Sequence, residues 1–279
     1  MANPVFNSSP VFQDPKARKG TNGRTAAPES TIDAVTLEKM YGTPSATPRE
    51  TGRLTYDDVI MKTGGLLALL VVVAAGTWAI TPDYPWLYVV GAIVGLVLGL
   101  VNSFRREPSP PLIIAYTLAQ GVFVGGISYL FQNWAVPGTV DGTAQPIVLQ
   151  AVLATLATFA AALFLFRSGK VRVTPKFTKW LLISMVGYLV FSLVNVVLSF
   201  FMTSDGFGPL RNGGWGILAG LFAVGLASAC LIMDFDSIKR GVEGGVPAKF
   251  AWTAAFGLIV TLVWLYLEFL RLFAMLNRN

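Results

Sequence analysis

Three carboxylates in the last part of the chain have the residue type and the position for ion chemistry. Glu268 lies well inside an apolar run of 25 residues, Ala251 to Met275, and Asp234 and Asp236 follow the apolar run before it. At about 1.5 Å per residue, the last run is long enough to cross a hydrocarbon layer of about 30 Å. A carboxylate in such a layer is costly, so its presence indicates a functional site.

Glu268 has two interpretations, and the sequence leaves both open. Arg271 stands three residues later, so an ion pair within one helix could satisfy the carboxylate locally. Alternatively, Glu268 faces the interior of the helix bundle, binds a cation when ionised and releases it when protonated. In that second case the residue would couple pH to ion passage.

Asp234 and Asp236 are predicted to stand at the cytoplasmic end of helix 6, before Lys239 and Arg240. A solvated helix end would explain them without any function. Acids at a helix C-terminus oppose the helix dipole, however, and carboxylate oxygens are ligands that suit Ca²⁺. We therefore predict a cation or proton site of Asp234, Asp236 and Glu268. In it Asp234 and Asp236 are the predicted Ca²⁺ ligands, and no other cofactor is expected.

Two amides lie at depth in the apolar segments and are predicted to support this site, together with Arg271. Gln120 is near the middle of helix 3, and Asn195 is in the outer half of helix 5. Amides between transmembrane helices commonly stabilise packing by about 1 kcal/mol. Asn195 and Glu268 are expected at similar depth, so a hydrogen bond between them is compatible with the topology.

The residue types that are absent or rare exclude several classes of enzyme. The chain has no histidine and a single cysteine, Cys230. Ser-His and Cys-His nucleophilic pairs and His-ligated zinc sites are therefore excluded. An intramembrane aspartyl protease is a distant alternative, because the last helix lacks a GxGD context. We predict that the protein is not an enzyme.

Composition and apolar runs predict a polytopic membrane protein. Hydrophobic residues make up 54% of the chain and charged residues 13%, against about 25% charged residues in soluble domains. Seven segments approach or exceed the roughly 18 residues of a spanning helix. We predict an all-α fold of seven transmembrane helices with helix 7 at the centre. The predicted segments are Thr63–Ile80, Trp86–Phe104, Pro111–Phe131, Ile147–Phe166, Thr178–Met202, Gly214–Met233 and Ala251–Met275.

The distribution of basic residues predicts the orientation of this bundle. Successive segments on one face carry eight, two, five and three Lys and Arg residues, which together are 18 of the 21 in the chain. The positive-inside rule then places the N-terminus in the cytoplasm and the C-terminus outside. The same asymmetry accounts for the net charge of +6 without a nucleic-acid partner. We expect a multi-pass protein in the lipid bilayer of the cytoplasmic (cell) membrane.

Residues 1–53 are rich in Pro, Ser, Thr, Gly and Asn, which predicts a disordered cytoplasmic tail. Residues 54–279 are predicted to form the seven-helix transmembrane domain, with Thr55 as the N-cap of its first helix. The tail repeats a Pro-Val-Phe tripeptide, which is either a chance repeat or a docking motif for a membrane protein complex. The repeated residues are Pro4, Val5, Phe6, Pro10, Val11 and Phe12.

The last two helices resemble those of the Bax inhibitor-1 family, which is also called the transmembrane BAX inhibitor motif or YccA-like family. The run LYLEFLRLFAML at residues 265–276 is similar to the LYLDFINLFLxLL element of the family's last helix. Asp234, four residues before Ile238, matches the Asp of the family's YDT-x-x-I element. Asp236, followed by Ser237, gives a competing alignment.

The resemblance covers about residues 55–279 in helix count and topology, and it implies a pH-sensitive Ca²⁺ leak that a pair of acids closes. Asp234 or Asp236 would pair with Glu268. The interval between Asp234 and Glu268 would place the two near opposite membrane faces unless helix 6 continues past Asp236. Our first prediction is therefore passive, pH-modulated permeation of a cation, expected to be Ca²⁺. The alternative is an accessory or regulatory subunit that docks on a larger membrane complex through its tail.

Overall fold

The computed structural model describes residues 52–135, 146–167, 173–202, 208–211 and 213–278. Apart from Gly52 and Arg53, the predicted tail and its Pro-Val-Phe repeat lie outside the described residues. Within the described ranges, seven helices are long and apolar enough to cross a membrane, and no strand forms beyond one isolated bridge. The all-α, seven-helix prediction is confirmed. The helices are α1 (Tyr56–Ile80), α2 (Leu87–Phe104), α3 (Pro110–Ala135), α4 (Ile147–Arg167), α5 (Pro175–Ser199), α6 (Gly213–Glu243) and α7 (Ala251–Arg278).

The largest differences from the predicted segments are in α1 and α6, where polar residues extend the helices by seven and ten residues. α1 begins at Tyr56, and the predicted N-cap is confirmed, since Thr55 Oγ1 accepts a hydrogen bond from Asp58 N at 3.2 Å. α6 continues ten residues beyond its predicted end at Met233, and ion pairs four residues apart stabilise the added turns. Asp234 and Asp236 consequently lie inside α6, and their placement at its end was wrong.

α7 occupies the centre of the bundle, as predicted. It packs against α1, α3, α4 and α6, and side chains on several sides of it are fully buried, among them Ile259, Leu265 and Leu270. α2 and α5 are the most peripheral helices. α2 lies close on α3 because it has glycines at the contact: a Cβ at Gly91 would lie 2.7 Å from the backbone nitrogen of Phe123.

One end of the bundle, here called the basic end, brings three connecting segments together. Leu54 N donates to Val246 O at 2.7 Å, and Ala248 N donates to Gly52 O at 2.8 Å. The entry to α1 is thereby joined to the α6–α7 loop. Lys249 Nζ lies 3.0 Å from Glu107 Oε1 and adds the α2–α3 loop to the same end. These contacts place on one face three of the four segments that the charge count assigned to one face.

Candidate functional site

Glu268 is the most deeply buried carboxylate of the described chain, with 3% of the residue exposed. Its Oε1 accepts hydrogen bonds from the hydroxyl of Tyr188 on α5 and from Trp264 Nε1, 3.2 Å away on α7. Arg271 Nη1 lies 3.2 Å from Oε1 and 3.1 Å from Oε2. Two helices therefore supply donors to one carboxylate.

Arg211 brings a third element to this carboxylate. It lies in the short 3₁₀ turn Pro209–Arg211 that precedes α6, and 4% of the residue is exposed. Its Nη1 lies 3.8 Å from Glu268 Oε2, and its Nη2 donates to Tyr188 Oη at 2.6 Å and to Ser192 Oγ at 3.0 Å. We call Tyr188, Arg211, Trp264, Glu268 and Arg271 the Glu268 cluster.

Two aromatic faces and the local backbone hold Arg211 in place. The guanidinium carbon lies 5.2 Å from the ring centre of Tyr188 and 5.4 Å from that of Phe191, which are cation–π distances. Asn195 Oδ1 accepts a hydrogen bond from Leu210 N at 3.0 Å and so fixes the turn itself. A Cβ at Gly216 would lie 2.2 Å from the carbonyl oxygen of Arg211, so only glycine permits this approach to α6.

The charges of the Glu268 cluster determine whether it can bind a cation in this conformation. Two guanidinium groups surround one carboxylate, so the cluster carries an excess of positive charge and repels a metal cation. A buried carboxylate of this kind is stable because its charge and its lone pairs are matched. Both interpretations of Glu268 describe part of the geometry, because the Arg271 pair forms and the carboxylate also faces the interior. The cluster joins α5, the turn before α6, and α7.

Asp234 makes a separate and simpler contact on the same helix pair. It faces α7, and its Oδ2 accepts a hydrogen bond from Thr261 Oγ1 at 2.7 Å. Thr261 precedes Glu268 by seven residues, which is about 10 Å along α7. The sequence allowed the two acids to lie closer together if helix 6 continued past Asp236, and this is the case: α6 runs to Glu243 and carries Asp234 inward.

The side chain of Asp236 points away from α7, unlike that of Asp234. Two residues along a helix turn through about 200°, so the two side chains leave α6 on opposite sides. Asp236 pairs instead with Arg240, one turn later, whose side chain is exposed. Among the described residues, no group of three or more His, Cys, Asp or Glu side chains is placed to hold a metal ion.

Gln120 lies at the contact between α2 and α3. A Cβ at Gly95 would lie 2.8 Å from Gln120 Nε2, and Oε1 of the same side chain is buried without a hydrogen-bond partner in the described ranges. Asn195 supports the Glu268 cluster indirectly, through the turn that carries Arg211. The two predicted supporting amides therefore occupy different regions of the bundle.

Sequence reasoning missed three members of the cluster, although the sequence contained signals for two of them. Arg211 is the one basic residue in the loops of the face opposite the basic end, and an isolated charge there needs a reason. Trp264 lies in mid-helix, four residues before Glu268 and hence on the same face. Tyr188 carries no signal, because an aromatic residue in an apolar helix is ordinary.

A comparison with protein families matches the chain over nearly its whole length. A family model described as Bax inhibitor 1 like matches residues 3–278, which is essentially the whole chain. No curated protein matches the chain.

Proposed function

The chain belongs to the Bax inhibitor 1 like family, and we propose that it is a passive, pH-sensitive leak for cations, with Ca²⁺ as the ion. The observation that supports the proposal most strongly is the buried carboxylate of Glu268, which bonds to three separate elements at once. In the conformation described here, the cluster holds these elements together, and we assign this conformation to the closed state.

Protonation of Glu268 is the proposed opening event. The groups that face its carboxyl are Tyr188 from α5, Arg211 from the turn before α6, and Trp264 and Arg271 from α7 itself. A neutral carboxyl no longer balances the two guanidinium groups, which then repel each other and favour hydration. The turn with Arg211 and the middle of α5 around Tyr188 would separate from α7, which opens the bundle between these elements.

Asp234 is the proposed cation or proton site within the path. In the described chain its carboxylate accepts one hydrogen bond, from the Thr261 hydroxyl, and carboxylate oxygens are the ligands that Ca²⁺ prefers. Asp236 would act nearer the basic end, where its arginine partner is exposed. The proposed orientation puts the basic end in the cytoplasm, as the positive-inside rule requires, and the membrane would be the cytoplasmic membrane.

Calcium flux into liposomes tests this proposal. The purified chain is reconstituted around a Ca²⁺-sensitive dye, and uptake is followed at neutral and at mildly acidic pH. We expect flux above that of protein-free liposomes, with the larger rate in acid, and a lower rate for Asp234→Asn. Glu243→Gln, which alters an exposed acid paired with Lys239, should match the wild type. Flux equal to that of protein-free liposomes at both pH values would overturn the proposal.

A second candidate function is that of an accessory subunit that docks through the tail. Gly52 and Leu54 hydrogen-bond to the α6–α7 loop, so a partner on the preceding residues would be connected to the two helices with the acids. A pull-down with the full chain and with a chain lacking residues 1–51 tests this candidate. A stable partner that is lost on truncation supports it, and no co-purifying partner in either case excludes it.

A further inference from the structure

A long apolar groove lies between α1 and α4, and none of the described residues that line it belongs to the Glu268 cluster. Its walls are α1 from Tyr56 to Trp78 and α4 from Val148 to Phe166, and α7 forms its floor together with residues of α3 and α6. The volume of about 890 Å³ is within the range of about 300–1,000 Å³ for ligand pockets. At about 1.5 Å per residue the α1 wall is about 33 Å long, close to the thickness of the hydrocarbon layer.

One polar group on the wall of this groove has no partner among the described residues. Thr63 is 8% exposed, and its Oγ1 is buried without a hydrogen bond. Other buried threonines in the helices behave differently: Thr155 on the facing wall and Thr117 on α3 each donate to the carbonyl four residues earlier. An unsatisfied buried hydroxyl is unfavourable, so Thr63 is suited to a ligand that brings an acceptor.

The depth of Thr63 identifies what kind of acceptor it would meet. Its neighbour Lys62 places its ammonium 5.7 Å from the ring centre of Trp252, near the start of α7. Tryptophan and lysine side chains near helix ends sit at the headgroup level of a bilayer. Thr63 is therefore at the boundary between headgroups and acyl chains, where the ester carbonyls of a phospholipid lie.

The charges at the same end of the groove complement a phosphate. Arg167 is exposed and directly follows Phe166, a lining residue, and Lys62 directly precedes Thr63. Acids are also present at this end, in the first turn of α1 and at Asp236. Of these, Asp58 accepts the hydroxyl of Thr55, and Asp236 is paired with Arg240. Lys62, whose ammonium lies over the Trp252 ring, and Arg167 thus stand beside lining residues at the end of the groove where a headgroup would lie.

We propose that the groove binds a diacyl phospholipid of the leaflet at the basic end. An acyl chain lies along α7, an ester carbonyl accepts the Thr63 hydroxyl, and the phosphate lies by Lys62 and Arg167. The wall residues favour an acyl chain over a helix from a partner. Close helix contacts in membranes are enriched in small residues, whereas the α4 wall presents large side chains such as Phe159, Leu163 and Phe166.

Photolabelling of the full chain in phosphatidylcholine vesicles tests the proposal. A trace of phosphatidylcholine with a diazirine on one acyl chain is activated, and the labelled peptides are identified by mass spectrometry. We expect labels on the facing walls of α1 and α4. Thr63→Val, which is nearly isosteric, should reduce that labelling about threefold through loss of one hydrogen bond.

Gly64 and Gly65 provide a matched pair of variants. A Cβ on either meets no atom within 4 Å, but only Gly64 lines the groove. Gly64→Leu should remove most of the labelling on α1 and α4, and Gly65→Leu should keep it. Equal labelling of both variants together with an unaffected Thr63→Val would overturn the proposal. Equal labelling by a diazirine fatty acid, which lacks the ester and the phosphate, would also overturn it. So would wild-type labelling that falls as the protein-to-lipid ratio rises, because that result indicates a second copy of the chain in the groove.

Discussion

Two carboxylates of the α6–α7 pair have very different surroundings: Glu268 on α7, and Asp234 on α6, whose partner Thr261 lies about 10 Å along α7 from Glu268. Glu268 receives hydrogen bonds or ion pairs from four side chains on three elements, and two of those side chains are cations. Asp234 receives one hydroxyl, from Thr261. The difference shows two ways in which a bundle tolerates an acid at membrane depth. Glu268 is balanced by charge and holds elements together, whereas Asp234 keeps lone pairs that can take a proton or a cation.

Truncation of each acid to alanine should give the largest difference in stability between the two regions. Glu268→Ala leaves Arg211 buried and without its carboxylate, and losing one partner of a buried pair costs about 3–5 kcal/mol. Asp234→Ala removes a partly buried carboxylate, and the Thr261 hydroxyl keeps its hydrogen bond to the carbonyl of Gly257 in its own helix, so we expect a loss of at most about 1 kcal/mol. Thermal unfolding in detergent measures both. Equal losses, or a larger loss for Asp234→Ala, would contradict the assigned difference.

Removal of one hydroxyl from the Glu268 cluster should lower the stability of the protein by an intermediate amount. Tyr188→Phe takes a donor from Glu268 and an acceptor from Arg211, and unpaired buried polar groups cost about 1–3 kcal/mol. Tyr84→Phe, in an exposed loop between α1 and α2, is the control and should leave the unfolding temperature unchanged. If the two variants unfold alike, Tyr188 does not connect α5 to the cluster.

The smallest loss of stability is expected from a change beside Asp234. Thr261→Val deletes the hydrogen bond to Asp234, and such bonds in membrane proteins average about 0.6 kcal/mol. Thr117→Val is the matched control, because Thr117 is fully buried and its hydroxyl bonds only to the carbonyl of Ile113 in its own helix. A loss for Thr261→Val as large as that for Tyr188→Phe would mean that the Asp234 contact also holds the bundle together.

The helices could be predicted from the sequence, but the side chains that contact the acids could not. Long apolar runs of this length are stable in a bilayer as helices, so the seven helices followed from the sequence. The central position of α7 was predicted from the charged residues inside its run, Glu268 and Arg271. The end of α6 was not predicted, because polar residues after Met233 look like a loop. Ion pairs four residues apart keep that segment helical up to Glu243.

The site was predictable only in part for a related reason. The acids themselves are visible as charges in apolar runs, and the pair of Glu268 with Arg271 follows from helical spacing. The contact of Glu268 with Arg211 joins residues 57 positions apart in the sequence, and Tyr188 adds another helix. Such contacts depend on how the helices pack, and spacing within one helix does not contain that information.

The pH dependence of Ca²⁺ flux through Glu268→Gln tests the central proposal most directly. Glutamine keeps the size and one acceptor oxygen but cannot carry the charge that balances Arg211 and Arg271. We predict that Glu268→Gln conducts at neutral pH about as fast as the wild type conducts in acid, and no longer responds to pH. Glu243→Gln should keep the wild-type response. A Glu268→Gln protein that remains folded and keeps the wild-type pH response would contradict the proposal that protonation of Glu268 opens the path.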